Sequence, residues 1–113
     1  MLQDLIAKRE ELSGFMHREL DNMRKAGIQL AENEAAYRKA LRLEILMERS
    51  LGTPVTVTSD ICRGKDEIAD LRQARDCAEA VYKASQEAIN VYKLEYRTLD
   101  NEIQRIWNSG GYE

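Results

Sequence analysis

The residues best placed to do chemistry lie between Arg49 and Lys65. The stretch Thr53-Pro54-Val55-Thr56-Val57-Thr58-Ser59-Asp60-Ile61-Cys62-Arg63-Gly64 is rich in hydroxyls and ends where a helix is expected to begin. Backbone amides at a helix start, joined by Arg49, Arg63 and Lys65, could hold a phosphate or carboxylate. Thr56, Thr58 and Asp60 would complete the polar set. A small phosphorylated ligand is therefore one candidate partner. Asp60, Asp66 and Glu67 offset the local positive charge, so the plainer reading is a hairpin connection whose strand seals a dimer.

Tyrosines form the second constellation. Tyr82, Tyr92 and Tyr96 fall near one face of a helix, and Tyr37 faces inward on another. Aromatics interleaved with Arg38, Arg42, Arg72, Arg75 and Arg97 could stack nucleobases. The plainer reading is that the rings pack a helical seam and satisfy their hydroxyls at its edge. His17 stands alone, with Glu10 and Asp21 seven and four residues away, and reads as a solvated side chain. Two cysteines with one histidine make no zinc site. Cys62, beside Arg63, is the candidate reactive thiol. Cys77 adjoins the seam and is expected to be a small buried hydrophobe. No phosphate-binding glycine loop, metalloprotease helix or nucleophile elbow occurs. The chain is read as non-enzymatic, with no catalytic residue, metal or cofactor.

The elements that must position these residues are helices. Charged residues make up 33% of the 113 residues, and the single proline and six glycines leave long stretches uninterrupted. The mix of Ala, Leu, Glu, Lys, Arg and Gln is that of long helices or coiled coils. A net charge of −3 with both signs interspersed supplies no basic stripe, which argues against nucleic acid as a partner. No apolar run reaches the roughly 20 residues of a membrane span. Met1 to Ile6 lacks the start of a signal peptide, so the cytosol is the expected compartment.

The first helix is expected over 2–51. Its heptad a positions are Leu2, Arg9, Met16, Met23, Leu30, Tyr37, Glu44 and Leu51, and its d positions are Leu5, Leu12, Glu19, Ala26, Asn33, Ala40 and Met47. Gly14 and Gly27 are expected to bend it at most, with Ser13-Gly14 the weakest point. Gly52 is suited to a left-handed cap, and Pro54 stops the helix. Val55-Thr56-Val57-Thr58 is β-branched throughout and alternates apolar with hydroxyl, the pattern of a short strand. A lone strand needs a partner for its backbone groups, and the same strand of a second copy would serve. The second helix is expected over 65–107, with Ile68, Arg75, Tyr82, Ile89, Tyr96 and Ile103 at a and Leu71, Ala78, Ser85, Tyr92, Leu99 and Ile106 at d. Residues 108–113 read as a flexible tail.

The expected architecture is all-α: a long antiparallel two-helix coiled-coil hairpin over 1–107 with one short strand in its 52–64 connection. Apolar residues off the seams, among them Ile28, Leu43, Ile45, Leu46, Leu94 and Trp107, call for a homodimer or larger assembly. Val55, Val57, Leu46, Leu94 and Trp107 are the expected interface.

Three pieces of sequence carry a family likeness: Gly52-Thr53-Pro54-Val55-Thr56, Ser59-Asp60 with Cys62-Arg63-Gly64, and Glu87-Ala88-Ile89-Asn90-Val91-Tyr92-Lys93. On them, the segment from Arg49 through Tyr92 resembles small helical proteins encoded by phages and prophages of Gram-positive bacteria. That group carries no assigned activity, so the resemblance transfers no functional residue. It implies a protein acting in a bacterial host cytosol by binding a host factor. Prefoldin subunits are similar in outline, but this connection is too short for their hairpins. Secreted WXG-type hairpins differ in the turn, and Trp107 with Gly110 has the wrong place and spacing.

Three functions follow, in order. The first is an interaction protein that oligomerises and binds or inhibits a host protein, such as a defence component. The second is an oligomeric sponge that sequesters a phosphorylated nucleotide signal around Arg49, Arg63 and Lys65. The third is a nucleic-acid accessory protein.

Overall fold

The structure, a computed structural model, describes residues 1–110. It consists of three helices, α1 (Leu2–Ser50), α2 (Val55–Arg63) and α3 (Asp66–Asn108), with no strand among the described residues. None of the helices is long and apolar enough to cross a membrane.

Helix α1 runs unbroken through both interior glycines. Asp4 in its first turn and Arg49 in its last complement the helix dipole. Gly27 has a packing reason. A Cβ there would lie 3.3 Å from Tyr82 Cε2, so the missing side chain admits the tyrosine ring. A Cβ at Gly14 would meet only Arg18 Nη1, at 3.8 Å.

The end of α1 is a Schellman cap. The Thr53 amide donates to the Glu48 carbonyl at 3.2 Å, and the Gly52 amide to that of Arg49 at 3.1 Å. Gly52 takes φ +90°, as its expected left-handed role requires. Pro54 then caps α2 with extended backbone, its carbonyl accepting from the Val57 and Thr58 amides.

Helix α2 corrects the expected strand at Val55-Thr56-Val57-Thr58. The hydroxyl alternation is real, but it spans only four residues, and the longer pattern is helical. Thr58 and Cys62, four apart, are both buried, whereas Val57 and Ile61, also four apart, are both exposed. The Thr58 hydroxyl donates to the Pro54 carbonyl at 2.7 Å, so it is satisfied within its own helix. A strand would have left a row of unpaired backbone groups. A helix closes them internally, for a few tenths of a kcal/mol of propensity per β-branched residue.

The chain divides into two compact units, Met1–Arg24 with Lys83–Glu113, and Lys25–Tyr82. In the first, Arg9 Nη1 reaches Asp100 Oδ1 at 2.6 Å and Phe15 meets Tyr92 with ring centroids 6.0 Å apart. In the second, Gly27 faces Tyr82, Asn33 donates to the Ala74 carbonyl at 3.2 Å, and Glu44 accepts from Lys65. In both, later residues of α1 meet earlier residues of α3, so the two segments pack antiparallel.

The seam of α3 follows its heptads. Ile68, Ala78, Ser85, Ile89, Ile103 and Ile106, its buried residues, all occupy expected a or d positions. Each buried isoleucine contributes about 1.5–3 kcal/mol. On α1, Ala26 and Tyr37 are buried at their expected positions. The register then slips. Met47 and Leu51 are 57% and 74% exposed, while Glu48 turns inward instead. A straight helix drifts about 20° per heptad against a 3.5-residue repeat, which is enough to rotate the last heptads off the seam. Three polar seam positions of α1 have partners across the seam: Arg9 with Asp100, Asn33 with Ala74, Glu44 with Lys65. Each bonds at one register only, the known role of polar core positions in coiled coils.

Helix α3 ends at Asn108, and Gly110 follows with φ +73°. The flexible tail expected over 108–113 thus begins inside the helix, and Gly111, Tyr112 and Glu113 lie outside the described residues.

Candidate functional site

The polar lock between α1 and α3 begins at Lys65, the residue before α3. Its Nζ donates to Glu44 Oε1 and, at 2.6 Å, to Glu48 Oε1. Glu48 also accepts from Thr53 Oγ1 at 2.7 Å through its other oxygen. These bonds, first from Lys65 and then from Thr53, hold the Glu48 carboxyl below its ordinary range. The two glutamates, Glu44 foremost, push Lys65 above its own. One ammonium therefore ties the last turns of α1 to the start of α3.

The expected anion ligands Arg49, Arg63 and Lys65 each have partners within the chain. Lys65 faces two carboxylates, and an added anion would compete with both. Arg49 donates to the Thr53 carbonyl across the α1 cap. Thr58 is buried and engaged with Pro54, so it is withdrawn from any ligand, while Thr56 and Asp60 are exposed. Asp60 lies 3.7 Å from Arg63, which lines a cleft with Arg72 and Arg75. Of the expected cationic set, only Arg63 keeps other cations as neighbours.

The cysteines exchange the roles read from sequence. Cys62 is fully buried, and burial pushes its thiol pKa up, so it is not the reactive thiol. The reason is α2: in a turn Cys62 would have faced solvent, whereas in a helix it shares the inward stripe with Thr58. Cys77 is exposed, one position before the buried Ala78.

The tyrosines pack the seam. Tyr37 is buried with the Arg75 guanidinium 4.7 Å above its ring, so the arginine covers the face a nucleobase would need. His17 Nδ1 bonds the Ser13 carbonyl at 2.7 Å, one turn back on α1. Among the described residues no group of His, Cys, Asp and Glu is arranged to hold a metal.

The expected interface residues are all exposed: Leu46, Val55 and Val57 in the second unit, Leu94 and Trp107 in the first. Leu94 lines an apolar cleft of about 510 Å³ with Leu12, Phe15 and Leu99. The larger concentration is at the chain reversal. Leu43, Leu46, Met47, Leu51, Val55, Val57 and Ile61 supply seven of the fourteen exposed large apolar residues among those described. Leu43 and Leu46 are off the expected seam, whereas Met47 and Leu51 occupy expected seam positions and are exposed nonetheless; Ile61 is signalled in the sequence only by its four-residue spacing from Val57.

Comparison with protein-family models, with curated proteins and with solved structures finds no match to this chain.

Proposed function

We propose that the chain is a non-enzymatic interaction protein: an antiparallel helical hairpin that associates with a second copy through its reversal end and, once assembled, binds a host protein. The observation that carries this reading is the apolar concentration between Leu43 and Ile61. Those seven residues are 42–74% exposed, and a stable interface buries roughly 800 Å² per partner, from about twenty to thirty residues a side. Scattered exposed apolar side chains need no explanation, but half of them within one short segment do.

Binding fits the chemistry present better than turnover does. The one buried thiol has a raised pKa, and the strongest ionic contacts tie helices together. The choice of a bacterial host protein as the class of partner rests on the sequence resemblance alone, and the apolar cleft beside Leu94 is a face on which it would dock.

Sedimentation velocity tests the assembly. The chain is expected to sediment as a dimer or larger species at micromolar concentration. Leu46→Glu and Val57→Glu, both at exposed positions, are expected to sediment as monomers with undiminished helicity. A wild-type chain that stays monomeric at high concentration would overturn the reading.

A further inference from the structure

The second unit holds a cleft that the interaction role leaves unused. Its volume is about 340 Å³, and it is lined by Arg38, Arg63, Arg72 and Arg75 with Tyr37 and Leu41. The four arginines come from three different helices. Four guanidinium groups around one depression repel one another, and Glu34, Asp60 and Asp76 offset that charge only in part.

Two of the four are already held. Arg75 donates to Asp76 at 2.8 Å, lies 3.3 Å from Glu34 and rests on the buried Tyr37 ring. Arg38 donates to Glu34 on its own helix. Arg63 and Arg72 differ. Arg63 stands 3.7 Å from Asp60, and Arg72 stands 3.9 Å from Asp76, both beyond hydrogen-bond reach. Their carboxylate contacts are thus longer than the 2.8 Å bond that holds Arg75 to Asp76. Both line the cleft, 46% and 51% exposed and only loosely ion-paired, beside a third cation that is firmly held and over a partly apolar floor.

The geometry points to a binding site for a small phosphorylated anion, with Arg63 and Arg72 as its direct ligands and Arg75 as the fixed charge behind them. A phosphoryl group fits better than a carboxylate. It carries up to two charges and three terminal oxygens, so it can take both forks at once, and bidentate recognition of phosphate is what arginine does best. The cleft volume lies at the lower end of the range for small-molecule sites, large enough for a phosphate with a sugar or base attached. The attraction is between exposed arginines and an anion, so binding should weaken as salt rises. This site shares only Arg63 with the expected Arg49, Arg63 and Lys65 cluster, and none of the seven apolar residues of the reversal end lines it.

Calorimetry on the full chain at low salt tests the site, with pyrophosphate and adenosine monophosphate as separate probes. Saturable binding of one molecule per chain is expected for at least one of them. Loss of a charged fork should lower affinity about tenfold or more in Arg63→Ala and in Arg72→Ala. Arg72→Lys, which keeps the charge without the fork, should fall between. Arg49→Ala should bind as wild type. Circular dichroism on each variant separates loss of the site from loss of the fold. Equal binding of the two probes would place recognition in the phosphoryl group, and tighter binding of the nucleotide would add the base or sugar; both outcomes support the site. No heat with either probe at millimolar concentration, or binding that Arg63→Ala and Arg72→Ala leave unchanged, would overturn it.

Discussion

Gly14 and Gly27 lie in the interior of the same helix, and replacing each with alanine should give different results. In an open helical position the exchange stabilises by up to about 1 kcal/mol, because glycine has more backbone freedom to lose on folding. Gly14 is such a position: its new Cβ would meet only the end of the flexible Arg18 side chain, at 3.8 Å. For a chain of this size about 1 kcal/mol corresponds to a rise of roughly 3–5 °C in Tm. Gly27 carries the same backbone gain, but its Cβ would press against Tyr82 Cε2 at 3.3 Å and Cδ2 at 3.5 Å. The ring must move by a few tenths of an ångström, at a cost of about 0.5–1 kcal/mol, the scale of modest side-chain strain. The net effect at Gly27 should therefore be near zero. Thermal unfolding followed by circular dichroism reads both variants. Adding Gly27→Ala to a Tyr82→Ala chain should restore the full gain, because the double-mutant cycle removes the contact. A Gly14→Ala chain that melts lower than wild type would refute the unbroken helix. A Gly27→Ala chain that gains as much as Gly14→Ala would refute the Tyr82 contact.

Two further predictions concern titratable and reactive groups. A thiol reagent should modify Cys77 rapidly in the native protein and Cys62 only on unfolding, because Cys62 is fully buried and Cys77 exposed; two fast thiols in native buffer would contradict the placement of α2. Glu34 and Glu48 both have pKa values held below the ordinary 4.5, Glu34 chiefly by its hydrogen bond from Arg38 and Glu48 by that from Lys65. Their stabilising contribution is complete above about pH 4.5 and is lost as pH falls below it, whereas that of Lys65, whose pKa is raised, persists until pH rises well above 10.5. The urea midpoint should accordingly fall between neutrality and about pH 3.5, and fall less in Glu48→Gln; an identical drop in both chains would remove Glu48 from the account.

The fold was legible wherever a pattern ran long enough to average out exceptions. The a and d positions of α3 name its buried residues because six heptads repeat one choice. The end of α1 was misread because a 3.5-residue frame was carried past the point where a straight helix rotates out of it, which hid Met47 and Leu51. Helix α2 was missed because four alternating residues outweighed the weaker four-residue spacings of Thr58 with Cys62 and Val57 with Ile61. That error also inverted the cysteines. The arginine cleft was only half visible. Arg38, Arg72 and Arg75 had been grouped with the tyrosines and Arg63 with the linker, and only the antiparallel packing of α1 against α3, with α2 between them in sequence, brings the two groups to one place. The partners of the polar seam residues Arg9 and Asn33 were not legible, because Asp100 and the Ala74 carbonyl lie far away in sequence.

Hydrogen–deuterium exchange at rising protein concentration addresses the proposed interface most directly. Protection should increase with concentration across residues 43–61 and stay constant elsewhere, with Leu46→Glu abolishing the increase. Exchange that is independent of concentration throughout, or an increase confined to the segments around Leu94 and Trp107, would contradict the assignment of the reversal end as the surface on which two copies meet.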